Sequence, residues 1–125
     1  MVNALETAQL CAGGAESKKA FDIQILDIRE LTVIADYFVI CSGSNTTQVS
    51  AIADSIGQTL AQAGARYSHV EGASESHWVL MDYADVIVHV FEEQTRTYYS
   101  LEKLWGEAPR IPVAIQPREL LGAAS

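Results

Sequence analysis

The hydrophobic patterning of the 125 residues predicts an α/β fold, with a mixed five-stranded sheet flanked by helices. Two observations carry that expectation: segments that alternate or are apolar on both faces, as strands do, and helix-spaced segments standing before, between and after them. The size agrees with one core, because a 13.6 kDa chain should expose ~6,600 Å² when folded against ~20,000 Å² when extended. With 49% apolar and 19% charged residues, the chain is neither a disordered acidic tail nor a coiled coil.

The elements follow in order. From Val2 to Ala12, the residues Val2, Leu5, Ala8 and Ala12 fall at helical spacing, and Gly13-Gly14 is expected to stop the helix. After a polar turn at Ser17, Lys18 and Lys19, Phe21 to Ile28 alternates, with Phe21, Ile23 and Ile25 opposite Asp22 and Gln24. A slip of phase at Leu26-Asp27-Ile28 marks a bulge or a strand end before the loop from Arg29 to Asp36. Tyr37-Phe38-Val39-Ile40-Cys41 is apolar throughout, which predicts a central strand covered on both sides. Ser44 or Asn45 then caps a helix whose stripe is Val49, Ile52, Ala53, Ile56 and Leu60, ended by Gly64.

Arg66 to Glu71 and Trp78 to Tyr83 predict two more strands around the turn-rich Gly72 to Ser76. In the second, Trp78, Leu80 and Asp82 share one face and Val79, Met81 and Tyr83 the other. The Tyr83-Ala84-Asp85 corner leads into Val86 to Phe91, completing an antiparallel hairpin. From about Thr95 a last helix places Tyr98, Leu101 and Trp105 on one stripe, with Leu104 beside them, and ends at Gly106. Pro109, Pro112 and Pro117 predict an extended tail, Pro117 being able to start one short turn. The expected organisation is therefore one domain over 1–106 and a tail over 107–125.

Charge and composition narrow the function. Eight basic against sixteen acidic side chains give a net charge of -8, which repels a phosphate backbone and disfavours direct nucleic-acid reading. Cys11 and Cys41, in apolar surroundings, suit reduced, core-packed thiols of the cytosol. The start lacks a signal peptide's basic and apolar regions, and no stretch approaches eighteen apolar residues, so a soluble cytoplasmic protein without membrane contact is expected.

Candidate chemistry is sparse. Cys41 to Thr47 is a strand-loop-helix that could cradle a phosphate, but it lacks a P-loop's Lys-Ser/Thr ending and a dinucleotide turn's three glycines, so helix capping is its ordinary role. A nucleotidyltransferase-like site would need paired carboxylates on the next strand to hold magnesium; that strand reads Arg66-Tyr67-Ser68-His69-Val70. Asp82 and Asp85 lie close together, but across a turn, where capping and solubility are their usual roles. His69, His77 and His89 lack the paired short spacings of a zinc site, and His89, inside an apolar strand, fits a hydrogen-bonded interior side chain better than a base. Ser42 and Ser44 match no nucleophile elbow. No catalytic residue, metal or cofactor is expected.

What remains is a surface. Six of the ten aromatics lie between Trp78 and Trp105, with Asp82, Asp85, Glu92, Glu93 and Glu102 against Arg96 and Lys103. Aromatic anchors beside acids suit docking onto a basic protein. The competing expectation is that Trp78, Phe91, Tyr98 and Trp105 fill the core under the last helix while the acids solvate an edge.

From Phe21 to Trp105 the chain resembles the ribosomal silencing factors, also called the Iojap family, of bacteria and organelles. The resemblance rests on Ala35-Asp36-Tyr37-Phe38-Val39-Ile40-Cys41-Ser42-Gly43-Ser44, Glu71-Gly72, the run from Trp78 to Phe91, and Tyr99-Ser100-Leu101-Glu102-Lys103-Leu104-Trp105. Ala84 stands where the family usually has Gly, which fits a less strained corner. The resemblance implies a nucleotidyltransferase-like fold without its catalytic carboxylates, and no enzymatic role. It implies binding to ribosomal protein uL14 on the intersubunit face of the large ribosomal subunit, which blocks joining of the small subunit and lowers translation when nutrients are scarce. Carried over by position, Trp78 is the anchor, Leu80 its apolar neighbour, Asp82 and Asp85 the charge complements, and Tyr99 an amphipathic contact. A homodimer sharing that face is also implied. Two alternatives stay open: an adaptor for large-subunit assembly, and a divergent nucleotidyltransferase using Ser44 with Asp82 and Asp85 for metal.

Overall fold

The structure, a computed structural model, describes residues 2–114. Helix α1 spans Ala4–Glu16 and is capped by Asn3, whose side chain accepts from the Glu6 amide at 2.8 Å. It runs through Gly13-Gly14 instead of stopping there. A Cβ at Gly14 would stand 3.0 Å from Thr59 Oγ1 and 3.1 Å from the Ile56 Cα, so the glycine lets two helices approach closely. That contact outweighs the ~1 kcal/mol propensity cost of glycine in a helix.

Strands β1 (Phe21–Asp27) and β2 (Tyr37–Gly43) follow, then α2 (Thr46–Gln62), β3 (His69–Glu71), β4 (Trp78–Asp82) and β5 (Val86–Glu92). Two short helices, α3 (Glu93–Tyr99) and α4 (Leu101–Leu104), precede β6 (Arg110–Ile111). The sheet order is β3-β4-β5-β2-β1-β6, with β2 and β5 parallel and the other pairs antiparallel.

Four local expectations are corrected or refined. Among the described residues the sheet has six strands, not five, because Ile111 and Arg110 pair with Ile25 and Leu26 of β1. The segment read as an unpacked tail is extended but bonded: the Asp27 amide donates to the Pro109 carbonyl, and Gln9 of α1 bridges the Pro112 carbonyl and the Ala114 amide. An edge strand tolerates the flanking prolines. Pro117 and the rest of the tail lie outside the described residues. The irregularity in β1 falls between Phe21 and Gln24, where Asp22 has φ 49°, while Leu26-Asp27-Ile28 marks the strand end. Fourth, the last helix breaks at Ser100, which is left-handed at φ 48°, ψ 48°.

That break redistributes the expected stripe. Leu101 and Trp105 pack on the sheet, Tyr98 is 82% exposed, and Arg96 is buried in its stead. Arg96 Nη1 donates to the Asp22 carbonyl at 2.7 Å and to Ser42 Oγ at 2.9 Å, and its Nε donates to Glu102 at 3.2 Å. The bulged backbone of β1 thus presents a carbonyl to a cation that ties α3 to two strands.

Alternation sorts the strands onto two faces. On one, Ile25, Val39, Cys41, Val79, Met81, Val88 and Val90 pack under α1 and α2, against Ala8, Cys11, Ala12, Ile52, Ile56 and Leu60. Both cysteines are free and fully buried, and burial pushes their thiols up, Cys41 to about 12. On the other face, Leu26, Phe38, Ile40 and Phe91 pack with Ile28, Ala35, Ala108, Leu101 and Trp105.

Candidate functional site

The hairpin register decides what lies beside Trp78. Trp78 stands opposite Phe91, Leu80 opposite His89 and Asp82 opposite Ile87, while β3 sets Glu71 opposite Leu80 and His69 opposite Asp82. Directly paired residues share a face. Trp78, Leu80, Asp82 and Ile87 are half-buried there, whereas Phe38, Ile40 and Ser42 of neighbouring β2 are buried. One end of this face is therefore covered and the other partly open.

The Trp78 indole stacks on Phe91 with centroids 4.8 Å apart and meets Tyr99 at 4.9 Å. Tyr99 is 50% exposed and edge-on to Tyr98 at 5.0 Å. Of the residues the sequence singled out, Trp78, Leu80 and Tyr99 form one aromatic and apolar strip. The competing core expectation is half right: Phe91 is fully buried, Trp78 and Trp105 are partly so, and Tyr98 faces solvent. Gly72 shapes the approach to Trp78, because at φ 83° it turns the chain so tightly that a Cβ would overlap the Trp78 carbonyl oxygen.

The two aspartates part company. Asp82 shares the strip's face and its Oδ1 also accepts from the Ala84 amide at 2.7 Å, capping the corner. Ala84 has φ 71°, so the corner is strained for alanine and not relaxed, a cost of roughly 1–2 kcal/mol. Asp85 is exposed, its carbonyl accepts from the Asp36 and Tyr37 amides, and it borders a groove with Asn3, Thr7, Arg66 and Tyr83 beside the helical layer. The structure does not bring it to Trp78. Nearer carboxylates are Glu71, paired with His69 at 3.5 Å, and Glu92, 3.7 Å from His77 Nδ1 and part of a cup with Thr95, Tyr98 and Tyr99.

His89 is the interior histidine the sequence suggests. It is 4% exposed, its Nδ1 accepts from the Trp78 indole N–H at 3.1 Å, and burial lowers its pKa to about 4. Leu31, Val33 and Ile34, exposed apolar residues in the loop between β1 and β2, escape a reading based on periodicity because a loop has no period to violate.

The constellation needed for nucleotidyl transfer is not assembled. Ser44 follows the end of β2, whereas Asp82 and Asp85 lie at its start, a strand length of about 20 Å away. The Ser44 amide and hydroxyl both donate to Gln48 Oε1, and Asn45 accepts from the Gln48 amide, so this loop is occupied by its own cap. Among the described residues, no group of three or more His, Cys, Asp or Glu side chains is placed to hold a metal ion, and no helix is long and apolar enough to cross a membrane.

Fold and face together define an α/β domain with a mixed sheet, sealed by two helices on one side and carrying a half-open aromatic strip on the other. The family described as "Ribosomal silencing factor during starvation" matches residues 2–123, and the chain belongs to that family. It is 43% identical over 108 residues to ribosomal silencing factor RsfS of Bacillus subtilis (strain 168), covering 86% of this chain and 92% of the relative. A mouse protein named mitochondrial assembly of ribosomal large subunit protein 1 is 30% identical over 91 residues, covering 70% of this chain and 40% of that protein. A crystal structure of a protein from Chromobacterium violaceum superposes with a TM-score of 0.82 at 33% identity, covering 92% of this chain and 95% of that one.

Proposed function

We propose that this domain silences translation by seating its Trp78 face on the large ribosomal subunit, at ribosomal protein uL14 on the intersubunit surface, where its bulk keeps the small subunit from joining when nutrients are scarce. The observation that carries this reading is the half-open strip of Trp78, Leu80 and Tyr99, with Asp82 on the same strand face. A tryptophan already stacked on Phe91 offers a large apolar contact at little entropic cost, and a net charge of -8 steers the domain toward a basic protein and away from bare RNA. Occlusion needs no catalytic step. The domain acts in the cytoplasm, where subunits meet.

Sedimentation with separated ribosomal subunits tests this. The protein should travel with large subunits and prevent their association with small ones, and Trp78→Ala should weaken both effects by about 30-fold or more, as loss of a central aromatic anchor does. A folded Trp78→Ala protein that still sediments with large subunits and still blocks association would overturn the reading.

A second copy of the chain on the same face would compete with the subunit. In that case dilution to the monomer raises apparent affinity for uL14; unchanged affinity on dilution excludes shared use of the face. A second reading, an adaptor for large-subunit assembly, is favoured by the name of the mouse relative. Co-purification with immature subunits supports it, and co-purification with finished ones supports silencing.

A further inference from the structure

We propose that His89 is the positioning residue of this face, holding the Trp78 indole in the orientation in which it docks; the inference rests on the reading of Trp78 as anchor. The geometry begins with the surroundings. His89 sits edge-on to Phe38 at 5.0 Å, parallel to Phe91 at 6.2 Å, and across the sheet from Leu80 on β4 and Ile40 on β2. A phenylalanine or leucine would suit such a site. The histidine instead leaves Nε2 buried with no hydrogen-bond partner among the described residues, which costs stability.

Its other nitrogen shows what that cost secures. An indole N–H can only donate, so at 3.1 Å the Nδ1 of His89 must accept, and the ring is neutral with its proton on Nε2. The tryptophan is half-buried, with its ring between Phe91 and Tyr99. Stacking alone tolerates a ring turned over about its broad outer torsion, whereas the bond to Nδ1 selects one of the two orientations. An anchor fixed before contact loses less freedom on binding. His89 itself stays buried and acts through Trp78.

The test uses the full chain and its His89→Phe and His89→Asn variants, each alone and combined with Trp78→Phe. In the unmodified protein, nitrogen NMR should report Nε2 protonated and Nδ1 accepting; the opposite tautomer overturns the proposal without any substitution. His89→Phe should melt no lower, since it removes the orphaned nitrogen, yet its Trp78 indole proton should exchange about 10-fold faster and its affinity for large subunits fall about 10-fold. His89→Asn, whose carbonyl oxygen can stand in for Nδ1, should recover much of both. In the Trp78→Phe background, His89→Phe should change affinity less than about 2-fold. Wild-type exchange and affinity in His89→Phe, or an equal loss in both backgrounds, would refute the role. If Trp78→Ala binds normally, the docking reading falls, while indole exchange still decides whether His89 fixes the ring.

Discussion

Beneath α1 and α2 the sheet presents Val39, Cys41, Val79, Val88 and Val90, all essentially without exposure, to an apolar layer of alanines, isoleucines and leucines. The same strands turn Trp78, Leu80, Asp82 and His89 to the opposite side, where cover is partial and polar groups enter: Arg96 on Asp22 and Ser42, and His89 on Trp78. Stability is concentrated on the first face, through area removed from water. The second holds buried polar contacts among its rings and leaves an aromatic edge half open. A residue's two-residue period along β4 or β5 therefore separates sealed core positions from half-open ones more sharply than its position along the chain.

Substitutions that attack each face should break or sharpen this contrast. Ile52→Ala, under α2, should cost about 4 kcal/mol in denaturant unfolding by emptying a sealed site, and leave the large-subunit affinity of the folded fraction unchanged. A loss of affinity in the folded protein would blur the distinction between faces. Acid should act through the second face. The folded His89 resists protonation until about pH 4, whereas in the unfolded chain it takes up a proton near 6.5, so stability falls by as much as about 3 kcal/mol as pH drops across that window. Unfolding curves collected between pH 7 and 4 should show this slope, and His89→Phe should remove its share.

Arg96→Leu should cost about 2 kcal/mol, less than a fully buried pair would, since the Glu102 side chain left behind is 26% exposed. Its signature is a loosened α3, read as faster amide exchange from Glu93 to Tyr99 with α1 unaffected. Smallest is Val33→Ser, at a residue with 102% relative exposure, which should shift the melting midpoint by less than an equivalent of about 0.5 kcal/mol. A larger change would place that loop in contact with the rest of the fold.

The common face of Trp78 and Leu80 was legible because β4 alternates cleanly, and His89's interior character because β5 is apolar around it. Tyr99 entered through resemblance to the silencing factors, and the structure sets its ring against Trp78. Asp85 stands apart from the Trp78 strip because a residue leaving a tight corner no longer obeys the strand's alternation. Strand β6, with two residues, is too short to show a period, and the prolines on either side argue locally for a loop.

Local pattern alone settled the five longer strands, the two long helices, the central, doubly covered place of an apolar β2, and the absence of a phosphate-loop or zinc spacing, because each depends on residues within a few positions of one another. Tertiary contact decided the passage of α1 through Gly13-Gly14, the left-handed break at Ser100 and the Trp78–His89 bond. In each case the deciding partner is distant in sequence or the cost is local and the compensation is elsewhere, and periodicity registers only neighbours.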